Sequence, residues 1–188
     1  MLKKPTTLIL AIALFSVGMA AASASASTAG ALARCNSFQA SDHYAQVVVP
    51  GTGFAFVGGG PRQSDATPLR DRIRPGDVVG VAAGGRVSYG GIFGSAGTWG
   101  PNGNGRIAPI NSSYPFPGGP QYALVGTWNH TQGDVRIDAV SACLVVPAGG
   151  DGVSIPWALR LEPNDDGPGD NGGSYLANVH VWAFDRSP

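Results

Sequence analysis

Lysine is almost missing from this sequence. Its only two, Lys3 and Lys4, stand at the N-terminus, and the rest of the chain sets ten arginines against twelve acids, a net of −2. A near-neutral, slightly acidic surface argues against nucleic acid or an anionic membrane as partner. Charge of either sign is sparse, at 13% of residues. Arg70, Arg72 and Arg74, with Asp71 between them, therefore read as one solvated strand face rather than an anion site. No long apolar run occurs either. The longest, "LILAIALFSVGMAAA", is short for a spanning helix, follows Lys3 and Lys4, and leads into Ala-Ser-Ala repeats. That order is a secretory signal peptide, residues 1–26, with cleavage after Ala24 or Ala26. The protein is thus expected to be secreted or periplasmic, with no membrane insertion.

Cysteine is nearly absent as well, with Cys35 and Cys143 alone. An exported chain meets an oxidising compartment, so a single disulfide between them is expected, pinning the mature N-terminus to a core strand. Helical periodicity is also lacking. Short runs of β-branched and aromatic residues recur instead, separated by Gly, Pro, Asn and Asp: "AQVVV", "FAFV", "DVVGVA", "YALVGTW", "DVRIDAV", "ACLVVPA", "WALRL" and "SYLANVHVWAF". Such a series in residues 27–188 predicts one all-β domain, a jelly-roll or β-sandwich of two antiparallel sheets. The last run alternates: Tyr175, Ala177, Val179, Val181 and Ala183 share one face, and Leu176, Asn178, His180, Trp182 and Phe184 the other. Both faces are mainly apolar, as in a central strand or one at a subunit contact.

Catalytic signatures are missing too. There is no G-x-S-x-G elbow. His43 beside Asp42, His130 in "TWNHTQGD" and His180 within a strand read as surface or structural histidines. "GGGPR" from Gly58 lacks the strand-to-helix context of a phosphate loop. Asn111 and Asn129 head glycosylation sequons of a kind common by chance. Nothing identifies an enzyme.

What the chain does have is a concentration of acid. Glu162, Asp165, Asp166 and Asp170 crowd into "LEPNDDGPGDNGG" with Asn164 and Asn171 among them and no basic residue between. Carboxylates held on one short loop repel one another unless a cation offsets them. Asp and Asn oxygens, with carbonyls freed by Gly-containing turns, are the hard donors Ca²⁺ takes in sets of six to eight. Zn²⁺ would call for His or Cys, and the turn has neither. The spacing is not that of an EF-hand. A plain solvated acidic loop stands as the alternative, and a glycosidase carboxylate pair is a third reading, although that chemistry sets its acids across a cleft. The stretch Gly90–Gln121 is a long, turn-rich loop of the kind that is usually functional or disordered.

Two blocks resemble the bacterial PA-I (LecA-type) galactose-binding soluble lectins. They are "PGDVVGVAAGGRVSYG", Pro75 to Gly90, and "NDDGPGDNGGSYLANVHV", Asn164 to Val181, with weaker echoes at "WGPNG" and "YALVG". The resemblance implies a jelly-roll sandwich of two small antiparallel sheets whose calcium site joins the two blocks. Carried over by position, the metal ligands would be Asp165, Asp170, Asn171 and the backbone carbonyl of Tyr89. A further carbonyl would come from Gly167, or from Asp166 or Pro168 because this turn is shorter than the family's. Asp165, Asp170, Asn171 and Tyr89 would also form the sugar site, two hydroxyls completing the ion's coordination. The resemblance therefore implies a calcium-dependent, non-catalytic carbohydrate-binding protein, and a homo-oligomer that multiplies weak single sites. A structural or adhesive sandwich with a purely stabilising calcium is the rival. Asp170 stands where the galactose binders carry Asn, and the family's sugar-contacting His and Gln have no counterpart. Asn102, Asn104, Arg106 and Tyr114 are the available substitutes, and galactose specificity is not carried over.

Overall fold

The structure, a computed structural model, describes residues 27–59, 67–90, 97–131, 133–148 and 157–184. The expected signal segment lies outside them, as does most of "GGGPR". All eight anticipated runs contribute a strand: β1 His43–Pro50, β2 Ala55–Gly58, β3 Val78–Tyr89, β5 Leu124–Trp128, β6 Asp134–Arg136, β7 Leu144–Val145, β8 Ala158–Pro163 and β9 Gly172–Trp182. A further short strand, β4 Gly97–Trp99, lies inside the stretch read as loop. The strands form two antiparallel sheets. One runs β1-β9-β3-β4, with β7 also paired to β3, and the other β2-β8-β5-β6.

Alternation explains the layering. On β9, Tyr175, Ala177, Val179 and Val181 are fully buried, while Leu176 on the opposite face is exposed. They meet Val47 and Val49 of β1, Val79, Val81 and Val87 of β3, and Val57, Leu124, Trp128, Leu159 and Leu161 of the facing sheet. Each valine or leucine among them contributes roughly 1.5–3 kcal/mol by leaving water. The second face of β9 is not a second core. Only Trp182 is buried there, under the N-terminal segment.

That segment departs from the sequence reading. Thr28–Asn36 is a helix, α1, capped by Ser27, whose Oγ accepts the Gly30 N–H at 3.2 Å. Nine residues give too short a window for periodicity to register, and an isolated helix of that length is unstable in water. Packing holds it: Ala31 and Cys35, four apart, bury against Val78 and Trp182. Cys35 is disulfide-bonded to Cys143 with Cα atoms 6.1 Å apart. The bridge is as expected, but its far end precedes the two-residue edge strand β7 rather than lying in a core strand. Arg70, Arg72 and Arg74 are also not on a strand. They lie in turns before β3, where Leu69 and Asp71 adopt positive φ and Asp77 Oδ2 accepts the Arg74 N–H.

The long pairing of β3 with β9 runs to Ser88 opposite Gly172 and so carries the end of β3 to the acidic turn. Gly173 permits this approach. It has φ +74°, and a Cβ there would lie 2.5 Å from the Arg86 carbonyl oxygen.

Candidate functional site

The acidic turn begins where β8 ends at Pro163. Asn164 is fully buried, and its side chain staples the preceding loop. Its Oδ1 accepts the Phe116 N–H at 2.8 Å, and its Nδ2 donates to the Phe116 carbonyl at 3.1 Å and the Pro120 carbonyl at 2.9 Å. Of the stretch expected to be loop, residues 97–121 are thus tied down. Two isolated bridges, Asn102–Ala123 and Ile107–Pro120, fasten them as well.

Beyond Asn164 the chain makes a 3-10 turn at Pro168–Asp170 and returns as Asn171. Asp165 and Asn171 are both buried and in contact: Asn171 Nδ2 donates to Asp165 Oδ2 at 2.8 Å and to the Gly51 carbonyl at 2.9 Å. Both of those partners are acceptors, so the amide nitrogen must face them, and Oδ1 is left buried without a partner. Asp165 Oδ1 receives only a long bond from the Gly167 N–H, at 3.4 Å. Among the described residues no basic side chain forms an ion pair with Asp165. Burial therefore pushes its pKa up. The Asn171 amide and the Gly167 N–H oppose that shift, while the charges of Asp166 and Asp170 reinforce it.

The two sequence blocks meet here. Continuing the β3–β9 register places Tyr89 beside Asn171, and a Cβ on Gly90 would lie 2.3 Å from the Asp170 carbonyl oxygen. Asp165, Asn171, Asp170 and the Tyr89–Gly90 backbone are thus brought together. Asp170 and Gly167 are exposed, and Gly167 touches the group only through its N–H. The Tyr89 ring points away into the core, where its hydroxyl bonds the Tyr122 carbonyl at 3.0 Å and the Tyr175 hydroxyl at 2.8 Å. Among the described residues no three His, Cys, Asp or Glu side chains converge, so any cation here would rely on amide and backbone oxygen beside carboxylate.

Tyr122 is the residue the sequence did not reveal. It holds φ +65°, a costly conformation for an aromatic residue, and its surroundings over-determine it. Its N–H donates to the Asn164 carbonyl at 2.7 Å, its carbonyl accepts from both Tyr89 and Tyr175, and its ring lies on that of Tyr89 at 3.8 Å between centroids. Burial and the nearby charges of Asp165 and Asp166 push its pKa up. Tyr114 is hydrogen-bonded to it and is itself raised to about 12, by burial first and then by Asp166. Two tyrosines therefore stand at the carboxylates. No sequence rule marks a positive φ on Tyr122, which stands just ahead of β5 with Tyr114 beside it.

Two of the other substitutes are occupied elsewhere. Asn102 Oδ1 accepts the Ala139 N–H, and Asn104 Oδ1 accepts the Arg106 N–H, each at 2.8 Å. Arg106 is near enough to Tyr122 to pull its pKa down. Two of the three histidines make structural contacts: His180 Nδ1 bonds Ser41 Oγ at 3.0 Å, and His130, in the β5–β6 turn, packs on Trp157.

The fold and turn define an antiparallel two-sheet sandwich with an oxygen-rich loop at one end. A solved structure described as "EclA N-terminal domain; PllA-like lectin" is similar to this chain at 16% identity. The match covers 72% of this chain and 94% of that one, with a TM-score of 0.42. No family model and no curated protein matches the sequence.

Proposed function

We propose that this chain is an exported, calcium-dependent carbohydrate-binding protein without catalytic activity. The observation that carries the reading is the buried, unpartnered Oδ1 of Asn171 beside a buried carboxylate that no described basic side chain neutralises. A buried acceptor left without a donor costs about 1–3 kcal/mol. A hard cation removes that cost, and the donor types present suit calcium. Asp165, Asp170 and Asn171, with the backbone carbonyls of Tyr89 and Gly167, would hold the ion, which supplies an electrostatic grip on two neighbouring hydroxyls.

The protein's own groups do the rest. Asp165 and Asp170 accept hydrogen bonds from those hydroxyls, and charged acceptors make such bonds strong and directional. Tyr114 and Tyr122 present aromatic surface next to them, suited to the apolar C–H face of a sugar ring. The extra charge at Asp170 favours the cation and alters the pattern of donors available to the sugar.

Calorimetric titration of calcium into EDTA-treated protein, followed by a glycan array with and without the ion, tests this. Calcium-dependent glycan capture is expected. Calcium binding without any glycan signal would leave only a stabilising ion, and calcium-independent glycan binding would overturn the mechanism.

A further inference from the structure

We propose that a second copy of this chain pairs antiparallel along the free edge of β1, in a register centred on Gln46. β1 is an outer strand of its sheet, hydrogen-bonded to β9 on one side only among the described residues. The phase of that pairing can be read. The Gly51 N–H donates to the Gly173 carbonyl at 3.0 Å, in line with the β1–β9 register. Antiparallel bonds to one neighbour recur at every second residue. Val49, Val47, Ala45 and His43 therefore turn their backbone groups to β9, and Tyr44, Gln46 and Val48 turn theirs outward.

Both ends of this open row are closed. Pro50 has no N–H, and its carbonyl accepts the Gly53 N–H at 3.3 Å. At the other end the Asp42 N–H is used by the Val181 carbonyl, and its carboxylate is paired with Arg34 at 2.9 Å. The two stops lie symmetrically about Gln46. An antiparallel copy centred there uses every outward donor and acceptor, whereas a shift either way sets one of the stops against an open residue.

The side chains suit the same register. Tyr44 would face the partner's Val48, and Val48 the partner's Tyr44. Aromatic with β-branched is a favourable cross-strand pair. Tyr44 is 54% exposed and Val48 59%, and Leu176, next to Val48 on β9, continues the apolar strip. Natural edges are usually blunted by charge, brevity or bulges. This one is eight residues long and carries no Lys, Arg, Asp or Glu from His43 to Pro50.

The test uses the disulfide-intact chain in EDTA, so that the result does not depend on the proposed calcium site. Sedimentation velocity over a concentration series should show a monomer–dimer equilibrium that Val48→Lys abolishes, while its thermal unfolding, measured at a concentration where the parent is monomeric, stays that of the parent. Gln46→Cys, self-opposed at the two-fold axis, should give a covalent dimer under mild oxidation, and Val48→Cys should not. A chain monomeric at all concentrations, or a dimer that survives Val48→Lys, would overturn the proposal. Cross-linking through Val48→Cys but not Gln46→Cys would refute the register.

Discussion

Asn164→Ala offers the sharpest test of how the site is held. The substitution removes three hydrogen bonds made by one fully buried amide. What it leaves behind is unequal. The Phe116 carbonyl keeps the Gly119 N–H at 3.1 Å and the Pro120 carbonyl keeps a long bond from Ala123 at 3.4 Å, but the Phe116 N–H loses the one partner found for it. With about 0.5–1.5 kcal/mol net for each bond, and the upper end applying to the orphaned donor, the loss comes to about 3 kcal/mol. For a domain of this size that lowers Tm by roughly 6–12 °C. Urea unfolding should show a lower midpoint with unchanged m, and the Phe116 amide should exchange faster with solvent. Asn164→Asp should be no better, because a carboxylate still accepts from Phe116 but faces two carbonyls it cannot donate to. A loss below about 0.5 kcal/mol for the alanine variant would refute the claim that this amide pins the loop to the turn.

On the proposed calcium site, the parent should gain a rise in Tm corresponding to about 2.7 kcal/mol of stabilisation at a hundredfold excess over Kd, and Asp165→Ala should abolish it, read by differential scanning fluorimetry. Because burial raises the Asp165 pKa, protons should displace calcium at a pH above the ordinary aspartate range; calorimetry across pH checks this, and unchanged affinity down to that range would contradict it. Asp42 shifts the other way, lowered chiefly by its hydrogen bond to Arg34. Its contribution is therefore present above its unfolded value and lost as pH falls through the lower folded one, so Asp42→Asn should be less stable than the parent at neutral pH and level with it in strong acid. Replacing Cys35 and Cys143 together by Ser opens a span of 108 residues, for which chain entropy gives a loss of up to about 4.7 kcal/mol in urea unfolding.

The strands were legible because β-branched alternation between turn formers is a local pattern, and each run contributes a strand, the longer ones with an apolar face inward. α1 was not legible, since a short Ala-rich segment is helical only by virtue of Trp182, Val78 and the disulfide, all distant in sequence. The arginine cluster misled for a similar reason: charged alternation looks like a strand, but the positive φ of Leu69 and Asp71 makes it a turn. At the site, composition pointed to the acidic turn as a whole, and the match between blocks picked out Asp165, Asp170, Asn171 and Tyr89. The partners that fix them, Gly51 and Tyr122, come from across the fold and leave no trace in local spacing.

For the proposed binding site, the grip of the Gly51 carbonyl on Asn171 has an implication for recognition kinetics. A side chain anchored by a residue 120 positions away cannot rotate to suit whatever arrives. The oxygen is presented in one direction from the moment folding is complete, so little rearrangement separates the empty and filled forms. Selectivity at such a site would rest on the visitor conforming to a fixed outline, and association should proceed in a single concentration-dependent phase.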